Sequence, residues 1–252
     1  MKLIPATILL GLIIFSSVPK QSINGHLREQ DDFDVTVDQI LEQHLRAIGG
    51  PAAFDKLTSR VMKGTYALPT KGYSTTIEVY AKAPNKYALY MTGKDNTAAR
   101  GFNGTLGWSR NYSEEGLRVL IGAELSADQR EADFYRERDL RKLYSAMTLK
   151  GKTQIEGHDA YMIEATASDG SSETIYFDTQ TGLIVRRDLP LYFSLHNVEV
   201  YFDNYKEVDG IKLPFTLRIV RPTAPFMTVF AFKEITHNVK IDDAKFEKPR
   251  IK

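Results

Sequence analysis

The sequence has no cysteine among its 252 residues. That excludes disulfides, thiolate metal sites, a cysteine nucleophile and a lipid-modified cysteine together. Charge of one sign is missing as well. Lysine and arginine total 33 and aspartate and glutamate 32, for a formal charge of +1, so no basic excess draws in nucleic acid. Five histidines (His26, His44, His158, His196 and His237) show no metal-ligand spacing. No Gly-x-Ser-x-Gly elbow occurs. The glycine-rich stretch Gly101–Gly107 precedes a strand pattern, so no helix N-terminus stands behind it to hold a phosphate. Asp242-Asp243 and Asp31-Asp32-x-Asp34 lack the glycine and distal glutamate of a calcium loop and read as solvated loops. Nothing argues for an enzyme, a metal or a cofactor.

Long apolar runs are also scarce. The clearest is Leu3–Phe15, preceded by Lys2. It is too short for a bilayer, which needs about 20 apolar residues, and fits the basic and apolar regions of a secretory signal peptide. Residues 1–25 are therefore expected to leave, taking Lys2 and Lys20 and moving the formal charge from +1 to −1. Residues 26–35 read as a flexible leader, and the mature protein is expected in the periplasm.

What is present begins with a helix. Thr36 and Gln39 have capping-box spacing, and Val37, Ile40, Leu41, Leu45 and Ile48 form one apolar stripe, with His44 at its edge. Gly49 and Gly50 suit its C-terminal stop, and Pro51 can open a second short helix through Leu57. From Ser59 the period becomes that of strands, rich in Tyr, Thr, Val and Ile: 59–68, 73–82, 85–92, 97–103 and 105–111. A polar helical insert is expected at about 123–146, with Ser126 and Gln129 as a capping box and Glu137–Arg141 as an i,i+4 pair. Strands resume at 147–157, 160–167, 173–178, 183–188, 196–208, 211–220 and 226–239.

Turn signals separate the strands. Asn103-Gly104 is a two-residue hairpin signal, and Asp169-Gly170 and Asp209-Gly210 punctuate later strands in the same way. The stretch Asp178-Thr-Gln-Thr-Gly182 also reads as a hairpin, its aspartate closing onto backbone N–H groups, and Asp203 reads likewise. Short connections imply antiparallel neighbours. The expected fold is mainly β with α: a single curved antiparallel sheet of about 11 to 13 strands, an incomplete or half β-barrel. The N-terminal helix and the helical insert would lid it, in one domain over 36–249.

Several strands are apolar on both faces, among them Phe226–Phe232 and Tyr87–Met91. With few helices to cover a bent sheet, one apolar face would be loosely covered and leave a cavity. Alternation alone leaves a dry aromatic core equally open.

The segments 77–91 (IEVYAKAPNKYALYM), 101–108 (GFNGTLGW) and 241–249 (IDDAKFEKP) resemble those of the LolA-like periplasmic lipoprotein carriers. The segments YFDTQTGLIVRRD and DNYKEVDGIKLPF are similar to hairpins of outer-membrane lipoprotein-sorting proteins. The resemblance implies a half-barrel whose concave apolar face shields acyl chains, with no bond made or broken. On that basis the expected ligand-binding residues are Ile77, Val79, Leu89, Met91, Trp108, Val198, Val200, Phe202, Phe226, Phe230 and Phe232. Implied partners are lipid or lipoprotein acyl chains and a membrane-associated protein, with no nucleic acid and a monomeric state. The same half-barrel also serves regulators that bind proteins, so a periplasmic sensor or adaptor is the alternative. Ala83 departs from the carriers, which have an arginine before this proline, linked there to lid closure.

Overall fold

The computed structural model describes residues 34–94, 97–110, 117–190, 197–221 and 226–249. The expected signal peptide, most of the leader, His26, Asp31, Asp32 and His196 lie outside the described residues.

Helix α1 (Val37–Ala47) starts where its capping box predicts. Thr36 Oγ1 accepts from the Gln39 N–H at 3.2 Å, and Gln39 Oε1 accepts from the Thr36 N–H at 2.7 Å. Pro51 opens the one-turn α2 (Pro51–Phe54). A first meander follows: β1 (Ser59–Leu68), β2 (Tyr73–Lys82), β3 (Lys86–Thr92), β4 (Thr97–Phe102), β5 (Gly107–Arg110) and β6 (Arg118–Val119). After helix α3 (Gly122–Ala132) comes a second: β7 (Ala146–Ile155), β8 (His158–Thr166), β9 (Ser172–Asp178), β10 (Ile184–Leu189), β11 (Val198–Val208), β12 (Ile211–Val220) and β13 (Met227–His237).

The described strands form one antiparallel sheet of 13, ordered β6-β5-β4-β3-β2-β1-β13-β12-β11-β10-β9-β8-β7. The two meanders join where β1 pairs with β13, and the sheet stays open, a curved half-barrel lidded by helices. Its edges are β6 and β7. The chain between those edges, residues 120–145, carries α3 across the open side.

One feature of the seam is a bulge between Lys63 and Gly64, the kind of irregularity that bends a strand. At Gly64 the two backbones approach so closely that a Cβ would lie 2.1 Å from the Ala231 carbonyl oxygen. Glycine is required there by space.

The turn at Asp178 is a hairpin, as its residues predict. Asp178 Oδ1 accepts from the N–H groups of Gln180 (3.0 Å) and Thr181 (2.6 Å), and Gly182 has φ +72°. Asp203 differs: it lies within β11 opposite Thr216 and pairs with Arg218 at 2.6 Å. The β4–β5 connection is four residues, not two, because Asn103 Oδ1 accepts from both Thr105 and Leu106 N–H groups.

The helical insert is shorter than its pattern suggests. It ends at Ala132, Ile121 precedes it with no side-chain cap, and Ser126 sits inside, donating to the Gly122 carbonyl. Glu137 and Arg141 make no helical pair, since residues 134–138 are turns and Arg141 faces Asp38 at 3.7 Å.

Candidate functional site

Register decides which side chains share the concave face. Directly opposed residues in an antiparallel pair point the same way. Leu89, Val79 and Met62 lie in one row, Met91, Ile77, Gly64 and Phe232 in the next, and Tyr66, Phe230, Leu217 and Phe202 in a third. These rows, with Ile48 just after α1 and Phe54 of α2, surround a cavity of about 320 Å³.

Six of the expected residues line it: Ile77, Val79, Leu89, Phe202, Phe230 and Phe232. Met91 packs into the same apolar cluster without reaching the void. Val200 stands opposite Arg187, a cavity-lining residue, and Val198 opposite Leu189, so both share the face but lie buried beyond the cavity. Phe226 precedes β13 with Lys71 Nζ 4.3 Å from its ring centroid. Trp108 belongs to the other face. It is aligned with Gly101 and Ala88, whose small size leaves room for the indole, and Nε1 donates to the Phe246 carbonyl at 2.8 Å. The C-terminal segment thus covers the convex side, held also by Asp243 to Lys82 (2.7 Å) and Lys86 (3.0 Å), while Asp242 caps the short turn there.

The roof is of another character. Glu131, Ala132, Asp133, Phe134, Arg136, Glu137 and Leu140 close the cavity from the segment that crosses the opening. Three staples hold this segment down. The Phe134 N–H donates to the Pro84 carbonyl at 2.9 Å, Tyr135 Oη to the Leu57 carbonyl at 2.9 Å, and Arg138 Nη1 to Asp55 at 2.5 Å.

Helix α3 packs by ion pairs. Glu124, Asp128 and Glu131 recur at helical spacing on one face. Glu124 meets Arg100 and Arg118, Asp128 meets Arg100, and Glu131 meets Arg136 and Arg187. The acidic face of a polar helix is thereby held down, with Asp128 at 5% exposure, while Ala123, Gln129 and Glu131 stay exposed. Hydrogen bonds from Arg118 lead the lowering of the Glu124 carboxyl to about 2, with Arg100 adding to it against burial.

A buried network continues from α3. Arg187 donates from Nε (2.7 Å) and Nη2 (2.9 Å) to Glu173, which also accepts from Tyr144 Oη, and from Nη2 to Glu131 at 3.1 Å. Glu131 is the open end of this network, its side chain 42% exposed, and against the opposing cost of desolvation Arg136 and Arg187 hold its carboxyl at about 2. The charges balance within this group.

Two other lining groups are less well served. His44 is 2% exposed, not at the edge of its stripe. Its Nδ1–H donates to the Gly182 carbonyl at 2.9 Å, and Nε2 is buried without a partner. Burial pushes its pKa down and keeps the ring neutral. Arg60 donates from Nε to His237 Nε2 at 3.1 Å, and His237 Nδ1 in turn faces Asp209 at 2.9 Å. Arg60 Nη2 is buried with no hydrogen bond.

Arg60 was foreseeable, for alternation puts it on the face of Met62. Arg187 was not, because the register shift between Ile184 and Arg186 breaks the alternation just before it.

No protein-family model matches the sequence, and no curated protein does. Solved structures do. The LolA superfamily protein NE2245 from Nitrosomonas europaea aligns over 85% of this chain and 98% of its own, with 15% identity and a TM-score of 0.58. A domain assigned as an outer membrane lipoprotein-sorting protein from Vibrio parahaemolyticus covers 83% and 95%, with 12% identity and a TM-score of 0.55. A DUF1329 family protein from Desulfovibrio piger covers 84% and 97%, with 16% identity and a TM-score of 0.53. In fold, the chain is therefore similar to LolA-superfamily and lipoprotein-sorting proteins.

Proposed function

We propose that the protein is a non-enzymatic periplasmic carrier that binds lipidated or otherwise hydrophobic ligands in the cavity of its half-barrel. The observation that carries this reading is the 320 Å³ void floored by Ile77, Val79, Leu89, Phe230 and Phe232. Its size lies within the range of about 300–1,000 Å³ typical of small-molecule sites. An acyl chain laid there leaves water, at about 0.8 kcal/mol for each CH₂ buried. The lid staples would have to open for entry and release. The lipoprotein-sorting name of the Vibrio parahaemolyticus neighbour agrees with this reading.

Periplasmic placement rests on Lys2 and the apolar run after it. Among the described residues no helix is long and apolar enough to cross a membrane.

Native mass spectrometry of protein purified from the periplasm tests the proposal. The expected spectrum contains a bound species that an organic extraction removes and identifies as lipid. A ligand-free mass throughout, together with no binding of a fluorescent acyl probe, would end the carrier reading. Retention of a specific protein by that lipid-free material would favour the adaptor instead.

A further inference from the structure

We propose that the ligand carries a carboxylate head and that Arg60 is the residue that receives it. The inference rests on the carrier reading and narrows it to acidic amphiphiles.

Arginine is almost never fully buried unless it is paired, since removing its charge from water is costly. The other arginines at the cavity obey this rule: Arg136 and Arg187 share Glu131, and Arg187 also holds Glu173. Arg60 does not. Among the described residues no carboxylate lies within ion-pair distance of its guanidinium, and its Nη2 is buried without any acceptor. Among the described residues its only hydrogen bond runs from Nε to a histidine nitrogen. The guanidinium lies beneath the lid, its Cζ 5.6 Å from the centre of the Phe134 ring.

Position along the cavity supplies the rest of the argument. Arg60 lies two residues before Met62 on β1, and both line the void. Its opposite residue on β2 is Ala81, followed on that face by Val79 and Ile77. A cation therefore stands at one end of an apolar track. An amphiphile laid on this track puts its tail against Val79, Leu89 and Phe232 and an anionic oxygen at the guanidinium, supplying the acceptor that the chain does not. Glu137 lines the same void and its charge acts on Arg60. A singly charged carboxylate is therefore favoured over a phosphate, whose second charge meets more repulsion.

The test measures binding of dodecanoate, 1-dodecanol and dodecyl phosphate to the full-length purified protein and to Arg60→Met. A charge-assisted hydrogen bond in a dry site is worth enough that dodecanoate should bind about tenfold or more tightly than dodecanol. Arg60→Met should erase that preference by weakening dodecanoate alone, and Arg60→Lys should keep part of it. If the wild type binds acid and alcohol equally, the head-group assignment is wrong while the apolar cavity stands. If the phosphate binds tightest, the carboxylate assignment is wrong. If none of the three binds, the carrier reading falls and this inference with it. Should Arg60→Met fail to fold, the comparison of acid with alcohol on the wild type still decides.

Discussion

Arg187 and Glu173 sit diagonally on the neighbouring strands β10 and β9, joined by two hydrogen bonds of 2.7 and 2.9 Å, with both side chains under one-tenth exposed. Together with Glu131 they fasten α3 to the second meander. Truncating one member of such a pair strands the other charge away from water, at about 3–5 kcal/mol. Glu173→Ala should therefore cost about 3 kcal/mol, the lower end, because Glu131 still serves Arg187. Chemical denaturation at neutral pH measures it, and a loss under about 1 kcal/mol would contradict the pairing. The double change Glu173→Leu with Arg187→Met should recover most of the loss, since no charge is then left unpaired.

Acid should weaken the fold in two windows. His44 and His237 are both pushed below 6.5, chiefly by burial. The unfolded chain then binds their protons first, so stability falls as pH drops below 6.5. Glu131, held at about 2 by its arginines against an ordinary 4.5, acts lower. Its contribution is complete above pH 4.5 and is lost as pH falls toward 2. Unfolding free energies measured from pH 7.5 to 3 should decline through both windows. Glu124, also lowered to about 2, acts in the same range, so Glu131→Gln should make the lower decline shallower without abolishing it, and an unchanged acid limb in that variant would refute the assignment.

Gly64 tolerates no side chain. An added Cβ would press on the backbone of β13, which cannot yield as a flexible side chain would. Gly64→Ala should cost about 3 kcal/mol or prevent folding, the upper range for overpacking. Gly72→Ala is the control, for among the described residues nothing beyond its own chain neighbours lies within 4 Å of where its Cβ would stand. Its backbone alone resists, at about 1–2 kcal/mol. Equal melting temperatures for the two variants would show that the seam is looser than this geometry.

Filling the cavity should separate stability from binding. Val79 faces the void opposite Leu89. Val79→Phe adds apolar volume there, and cavity-filling changes commonly add about 0.5–2 kcal/mol. The variant should melt no lower than the wild type and bind a fluorescent acyl probe at least about tenfold more weakly. Undiminished binding would place the ligand elsewhere.

The architecture was legible because most strands announce themselves. β1, β2 and β12 span the same residues that their alternation and turn signals mark, and the α1 cap is where Thr36 and Gln39 put it. Faces were harder to read. Leu89 and Phe232 follow from alternation, but Trp108 depends on sheet register, which sets it behind Gly101 and not over the cavity. The register shift in β10 hid Arg187. The charged roof was the larger omission. Its helix carries acids at helical spacing, yet their arginine partners on β4 and β10 become neighbours only through long-range packing.

The sheet order carries a consequence for biogenesis. Among the described strands every pairing joins consecutive strands except one, β1 with β13, which brings Arg60 beside His237. Local hairpins close quickly, whereas a contact spanning most of the chain must wait for the large loop between to be gathered in. A nascent chain can zip each wing as it emerges, but the midline stays unstitched until its last strand is delivered. Through that interval the margins of β1 and β12 stay bare, each a row of unpaired backbone groups open to a strand from another chain.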